Sequence, residues 1–318
     1  MADMVFSGVT FSGGYSIQLP PPSAKVIFGY GNDVIAGSVS ITNLVSNTGV
    51  VGNDVTGVGT VRQFLSAAGY GTDKAIFGYG FGNIAPYRVS MTNLVSNTGV
   101  VATDTTGVGT ARNSLGAAGY GTDKAIFGYG QDINAVSSIT NLVSNTGVVA
   151  TDTAGVGTAR NSIAAAGYGS SGQAIFGYGY NGNLALQYSL TNLVSNTGVV
   201  ATDTAGVGTA RSRVAAAGYG TDKAIFGYGS TGSVTSITSL VSNTGVVGND
   251  VSGVGTARNQ LAAAGYGTDK AIFGYGGDVT QTAAYSMTNL VSNTGVVASD
   301  TTGVGTARIG LAAASYGS

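Results

Sequence analysis

The chain has 318 residues, a formal net charge of -1 and 8% charged residues, with no Cys, His or Trp. The missing side chains exclude thiol nucleophiles, disulfides, imidazole bases and the usual zinc sites. So little charge cannot release enough counterions for strong nucleic-acid binding, so we expect no nucleic-acid partner.

The acidic residues also argue against catalysis. All 14 are Asp, and no paired carboxylates stand outside the repeated pattern. We therefore expect no enzyme and no cofactor, and one Asp per turn is too few for a calcium site. No apolar run approaches the roughly 18 residues of a membrane helix, so no membrane insertion is expected.

Residues 1–24 differ from the rest of the chain and are predicted to form an N-terminal arm. The arm combines Ser12-Gly13-Gly14-Tyr15 with Pro20-Pro21-Pro22, an extended and polar composition. It has no basic region before an apolar stretch, so no secretory signal is expected. We predict that the arm tethers the chain to other proteins of an assembly.

Residues 25–318 repeat one pattern and are predicted to form a single domain. A phenylalanine marks each of six copies at spacings of 49, 50, 49, 50 and 47 residues. This period is typical of one blade of a β-propeller. The markers are Phe28, Phe77, Phe127, Phe176, Phe226 and Phe273.

Each copy is predicted to contain four strands. In residues 112–160 they cover about Ser114 to Tyr120, Lys124 to Tyr129, Ser137 to Ser144 and Val148 to Asp152. Turn residues separate them, and nothing sustains the apolar period of a helix. The first strand has the smallest side chains, which suits the crowded innermost position of a blade.

The two ends of the chain are out of phase with each other. The first copy begins at a second strand, Lys25 to Gly31, whereas the chain finishes on a first strand, Leu311 to Tyr316. Pairing of these strands would close a ring and remove a free edge. We therefore predict an all-β, six-bladed β-propeller closed by that pairing, with a fibrous β-solenoid as the alternative.

The order of motifs resembles the kelch repeat. Arg112 precedes a small-residue strand and a turn, and a hydrophobic strand ending in glycines, Lys124-Ala125-Ile126-Phe127-Gly128-Tyr129-Gly130, follows. The resemblance implies a kelch-like propeller. The near-identical copies and the leader Phe11-Ser12-Gly13-Gly14-Tyr15 are also similar to kelch-like repeat proteins of bacteriophage virions.

Comparison of the copies locates the variable positions. They lie between the second and third strands and just after the linker arginine, and both regions are expected on one face. Such loops on a rigid scaffold commonly bind partners, although long loops also tolerate drift. The candidate partner-binding residues are Phe81, Asn83, Tyr87, Arg88, Asp132, Asn134, Tyr180, Asn181, Tyr188 and Arg213.

The linker arginines are predicted to form an axial ring on that face. Guanidinium groups can hold carboxylates or phosphates, and the kelch resemblance implies contact with acidic peptides. The alternative is structural pairing with the one outer-strand Asp of each copy. Likewise, Tyr120 and Tyr129 could stack on sugars or pack between blades. The arginines are Arg62, Arg112, Arg160, Arg211, Arg258 and Arg308.

These features predict a non-enzymatic structural or adhesion module. We expect it in a phage virion, in the tail or a fibre, or on another extracellular surface. Its arm would contact other virion or surface-assembly proteins, and its variable loops would bind a host receptor or glycan. The alternative is a lectin with up to six equivalent shallow sites, whose weak affinities add through multivalency.

Overall fold

A computed structural model shows an all-β chain. It describes residues 24–317 and two short paired strands, Val5–Phe6 and Val9–Thr10, and these residues contain no helix. Within that described part, nothing has the length and hydropathy of a membrane-crossing helix. Apart from those strands and Ala24, the predicted arm lies outside the described residues.

Six antiparallel sheets repeat one order of strands, in which the second strand pairs with both the first and the third. The first strands are Ser66–Tyr70, Gly116–Tyr120, Ala164–Tyr168, Ala215–Tyr219, Ala262–Tyr266 and Ala312–Tyr316. The second strands are Lys25–Gly29, Lys74–Gly78, Lys124–Gly128, Gln173–Gly177, Lys223–Gly227 and Lys270–Gly274. The third strands are Thr42–Val45, Thr92–Val95, Thr140–Val143, Thr191–Val194, Thr238–Val241 and Thr288–Val291.

The fourth strand is regular in two copies only. Val51–Val55 and Val247–Val251 pair with the third strands beside them, and both share the sequence Val-Gly-Asn-Asp-Val. The predicted fourth strand Val148 to Asp152 is therefore wrong as a continuous strand. Its segment is held by two isolated bridges and by the Asn141 side chain, whose Nδ2 donates to the Ala150 carbonyl at 3.0 Å.

Short strands complete the description at the variable loops. Asn32–Asp33 pairs with Gly37–Ser38, and Tyr180–Asn181 pairs with Leu186–Gln187. In the second copy, Arg62–Gln63 pairs instead with Phe81–Gly82.

The ends of the repeated region meet in one sheet. Ala312–Tyr316 pairs with Lys25–Gly29 over five residues, from Ala312 opposite Gly29 to Tyr316 opposite Lys25. This is the pairing that the phase offset of the sequence predicts. The first strands also contact one another in chain order, and the last of them contacts the first.

Two cycles of backbone hydrogen bonds link the six copies at opposite ends of the first strands. In one cycle, Ser114 N donates to the Phe64 carbonyl at 2.8 Å, and the sixth bond, from Phe64 N to the Gly310 carbonyl at 2.7 Å, returns to the start. In the other, Gly121 N donates to the Gly172 carbonyl at 2.7 Å, and Gly317 N donates to the Asp73 carbonyl at 2.7 Å.

The core lies between neighbouring sheets. One cluster joins Ile126 and Tyr129 of one sheet to Phe176 of the next. The Phe176 ring lies against Gly128, where an added Cβ would stand 2.7 Å from Cζ. Glycine at the end of each second strand therefore lets the next sheet approach. The same contact recurs between Gly274 of the sixth copy and Phe28 of the first copy, so these two copies also pack against each other.

Candidate functional site

The two variable regions of each copy are neighbours in the fold. The residue just after the linker arginine bridges to the start of the loop that follows the second strand in the same copy, as in Asn113 with Gln131, Asn161 with Tyr180, and Ser212 with Ser230. The first copy uses Asn32 with Ile309, from the other end of the chain. All of these positions lie at the Phe64–Gly310 end of the first strands, which we call the variable face.

A cavity of about 560 Å³ opens on the variable face. It narrows to about 110 Å³ between the first strands, where an apolar collar includes Leu65, Leu115 and Leu311. At the opposite end, about 370 Å³ is lined by the hairpins that follow the first strands, including Tyr120 and Lys124. The two ends of the first strands therefore carry cavities with different lining residues.

Phe81, Tyr87 and Arg88 form one cluster in the second copy. The Phe81 and Tyr87 rings stack with centroids 5.6 Å apart, and the Arg88 guanidinium lies 5.8 Å from the Phe81 centroid. Tyr87 and Asn83 are exposed. This cluster offers an aromatic and cationic surface at the rim of the face.

Two other candidates mainly hold their own loops. Asp132 Oδ1 accepts hydrogen bonds from the backbone of Asn134 and Ala135 at 2.7 and 2.8 Å. Asn181 Oδ1 accepts one from Asn183 N at 3.1 Å. These side-chain oxygens therefore stabilise the turns of their own loops.

Tyr180 and Arg213 line the axial cavity, whereas Tyr188 is half-buried and its backbone nitrogen donates to Gly179. Phe64 and Gln260, which also line that cavity, belong to the predicted variable region after the linker arginine but are not among the candidate binding residues. The signal was present, because both positions differ among the copies, but their places around the axis depend on the packing of all six sheets.

The loop tips carry exposed aliphatic side chains that the sequence analysis missed. Ile35, Ile84 and Ile133 are 94%, 83% and 78% exposed, and Leu184 and Val279 are exposed as well. Each belongs to a different copy, at the loop that follows the second strand. Five of the six loops that follow a second strand therefore present an exposed aliphatic side chain on the variable face.

The predicted axial ring of arginines is not presented to solvent. All six linker arginines are 0% exposed and lie between neighbouring sheets rather than in the cavity. Arg112 donates from Nε to the Tyr129 carbonyl at 2.9 Å, from Nη1 to the Thr110 carbonyl at 3.2 Å and from Nη2 to Asn141 Oδ1 at 2.7 Å. Their hydrogen bonds are internal, so they are not free to hold a surface ligand.

The outer aspartates are secondary partners of these arginines. Arg112 Nη1 lies 3.6 Å from Asp152 Oδ1, whereas the Thr110 backbone N and hydroxyl donate to Asp152 Oδ2 at 3.0 and 2.6 Å. Burial acts to raise the pKa of Asp152, but the hydrogen bonds from Thr110 and Asn141 outweigh it and lower the pKa. Each aspartate therefore ties the end of one copy to the linker of the copy before it.

The fifth copy varies this arrangement, because Ser239 replaces the third-strand asparagine. The shorter side chain lets Arg211 Nη1 approach Asp250 Oδ1 to 3.1 Å, and Tyr178 donates to Ser239 Oγ at 2.9 Å. Arg211 Nε then has no hydrogen-bond partner. The interface keeps its guanidinium buried with a different set of acceptors.

The tyrosine of each Gly-Tyr-Gly segment fills the interface beside the arginine. Arg112 Cζ lies 4.8 Å from the Tyr79 ring centroid, and the Phe127 ring centroid lies 5.1 Å from that of Tyr79. Tyr129 makes the same contacts and is fully buried, while Tyr120 is 4% exposed at the opposite end of the first strands. Tyr129 is therefore not available for sugar stacking.

Alkaline pH should destabilise the fold through these tyrosines. Burial raises the pKa of Tyr30, Tyr79, Tyr129 and Tyr275 to about 12, although the adjacent arginines oppose it. In the unfolded chain the tyrosine phenols lose their protons near pH 10. Their contribution to the free energy of unfolding is therefore complete below about pH 10 and is lost as the pH rises toward about 12.

Urea unfolding followed from pH 8 to pH 12, with tyrosinate absorbance at 295 nm, measures this loss. Tyr129→Phe should reduce the pH dependence, because it removes one of the buried phenol groups. A free energy of unfolding that stays constant across this range would contradict the expectation.

No group of three or more Asp, Glu, His or Cys side chains among the described residues could hold a metal ion. No protein-family model matches the chain, and no curated protein matches it. Inferences about function therefore depend on the geometry of the variable face.

Proposed function

We propose that residues 25–318 form a closed six-bladed β-propeller. The proposal is supported by the pairing of Ala312–Tyr316 with Lys25–Gly29, by the two cycles of backbone hydrogen bonds and by the packing of Phe28 against Gly274. A linear solenoid would leave its terminal copies uncovered and would not need contacts between the first and last copies.

On this scaffold we propose a non-enzymatic adhesion module that binds a receptor or a neighbouring protein through the variable face. The observation that carries the proposal is the set of exposed aliphatic side chains at the loop tips, together with the cluster of Phe81, Tyr87 and Arg88. Exposed apolar and aromatic groups held by a rigid sheet lose little conformational entropy on binding.

The assembly that we propose is a phage particle or another extracellular surface. This follows from the resemblance of the repeats to virion proteins, and residues 1–24 would supply the tether. Mass spectrometry of particles purified from the source of the gene should detect the protein. Its absence from purified particles would contradict the virion assignment and leave the binding role to be tested separately.

Binding through the loops is tested by grafting. Replacing the loops Phe81 to Arg88 and Tyr180 to Tyr188 with the short loop of residues 230–234 should abolish saturable binding of labelled protein to whole cells or particles from the source. The melting temperature should remain within a few degrees, because the first, second and third strands of every sheet are untouched and only the two-residue strands of the loops are exchanged. A control variant, Val148→Thr in an exposed turn of the opposite face, should bind normally.

Unchanged binding by the grafted variant would contradict the role of the loops.

A glycan array tests the alternative function, a lectin. Recognition of simple sugars at repeat-equivalent sites would favour a lectin, whereas loop-dependent cell binding without such recognition favours a protein partner. The variable residues differ from copy to copy, which disfavours six equivalent sugar sites.

A further inference from the structure

The axial cavity of the variable face is asymmetric although the scaffold repeats. Its mouth is formed by one residue from each copy, and the hydrogen-bond cycle sets their order around the axis. In that order the residues are Phe64, Ser114, Ser162, Arg213, Gln260 and Gly310. These six positions differ in size, polarity and charge, so the mouth has one distinct orientation for a ligand.

An aromatic ring and a cation lie on opposite sides of this mouth. Phe64 and Arg213 are three places apart in a cycle of six, so they lie across the axis from each other. The Phe64 ring lies against Gly310, where an added Cβ would stand 2.9 Å from the ring carbons. Glycine at 310 therefore allows the ring to extend over the neighbouring position.

Arg213 has no acidic partner. Among the described residues it forms no ion pair, and it is the only charged side chain that lines this cavity. Its side chain is half-buried, and this burial lowers its pKa. A partly desolvated cation without a counter-charge favours a bound anion, and a guanidinium holds a carboxylate through two hydrogen bonds.

The same cavity is lined by residues with unpaired acceptor atoms. Asn113 Oδ1, Asn161 Oδ1 and Gln260 Oε1 have no hydrogen-bond partner, and each residue is more than nine-tenths buried. These three atoms have almost no exposed surface, so they lie within the cavity wall and do not face a ligand. Ser114 and Ser162 are partly exposed and line the same cavity, which thus offers a cation, an apolar ring and hydroxyl groups.

The backbone at the mouth is also strained. Phe64, Ser114, Ser162, Arg213 and Gln260 all have φ between +52° and +56°, a region that favours glycine. Only the sixth position is glycine, in a chain that contains 54 glycines. Five of the six mouth positions therefore carry a side chain although glycine would fit the backbone better.

We propose that the axial mouth binds one small sugar that carries a carboxylate. Arg213 holds the carboxylate, Phe64 stacks on the apolar face of the sugar ring, and the hydroxyl groups of Ser114 and Ser162 bind hydroxyls of the sugar. A volume of about 560 Å³ is within the range of small-ligand cavities. This proposal rests on the binding role of the variable face but uses the mouth rather than the loop tips.

Titration calorimetry with glucuronic acid, galacturonic acid and N-acetylneuraminic acid tests the proposal, with glucose and acetate as comparison probes. At least one sugar acid should bind at one site per chain and more tightly than either comparison probe. Arg213→Gln should weaken that binding tenfold or more, and Phe64→Ala should weaken it several-fold. Lys124→Gln, which removes one positive charge at the opposite end of the first strands, should leave it unchanged.

Equal binding of acetate and the sugar acids would reduce the site to an anion site and overturn the proposal. Six sites per chain, unchanged binding by Arg213→Gln, or no binding of any sugar acid at 10 mM would also overturn it. The grafted loop 180–188 includes the cavity-lining residue Tyr180, so sugar-acid binding is measured on the unmodified chain and its point variants. Loss of cell binding by the graft, together with no binding of sugar acids by the unmodified chain, would contradict this inference alone.

Discussion

Deleting residues 311–318 is expected to abolish the stable monomeric fold. The deletion removes the strand Ala312–Tyr316, which pairs with Lys25–Gly29 over five residues, and the buried side chains of Leu311 and Tyr316. It also removes Gly317, whose backbone nitrogen donates to the Asp73 carbonyl, and so breaks one of the two hydrogen-bond cycles. We expect a loss above about 5 kcal/mol, a large part of the stability of a typical domain.

The measurement is thermal unfolding by circular dichroism, together with light scattering on a sizing column. The truncated chain exposes the edge of Lys25–Gly29, so it should aggregate or associate as concentration rises. A synthetic peptide of residues 307–318, added in trans, should restore the monomer and most of the melting temperature, whereas a scrambled peptide should not. A truncated chain that melts within a few degrees of the full chain would contradict the closed arrangement.

Replacing Arg112 with methionine should lower the free energy of unfolding by about 3 kcal/mol. Methionine keeps part of the apolar stem but donates no hydrogen bond. The guanidinium donates to the Tyr129 carbonyl at 2.9 Å and to Asn141 Oδ1 at 2.7 Å. In the variant both oxygens would be buried without that donor. Urea unfolding monitored by tyrosine fluorescence measures the change.

Arg213→Met is the matched control, since the same substitution is made at a half-buried arginine of the cavity mouth. It should change the free energy of unfolding by no more than about 0.5 kcal/mol. Arg160→Met should cost about as much as Arg112→Met, because Arg160 donates to the equivalent acceptors, the Tyr178 carbonyl and Asn192 Oδ1, at 2.7 Å each. Equal effects at Arg112 and Arg213 would contradict the distinction between a structural and a surface arginine.

Much of the fold could be predicted from the sequence because its signals are local. The Gly121-Thr122-Asp123 turn and the small-residue strand before it are adjacent in the chain, and the structure has both where the pattern indicates. The third strand was predicted too long, at Ser137 to Ser144 against Thr140–Val143. Side-chain hydrogen bonds take the place of continuous pairing at the fourth strand, and strand propensity does not report them.

The candidate site was less predictable. Comparison of the copies located the variable positions, and the structure brings both variable regions of each copy together. Comparison of the copies did not indicate that the linker arginines are buried. Arg112 and its acceptor Asn141 are 29 residues apart, and the ring that it covers, Tyr79, belongs to the preceding copy. A repeated arginine looks the same in sequence whether it faces an axis or an interface.

The sequence by itself determined the all-β class, the six copies and the offset that brings Lys25–Gly29 to Ala312–Tyr316. These follow from turn chemistry and periodicity, which act over a few residues or one repeat. Only the tertiary structure decided that the linker arginines are internal and that Phe64 lies across the axis from Arg213. Both depend on packing between copies, since burial and opposition around an axis are properties of the assembled sheets and not of any one segment.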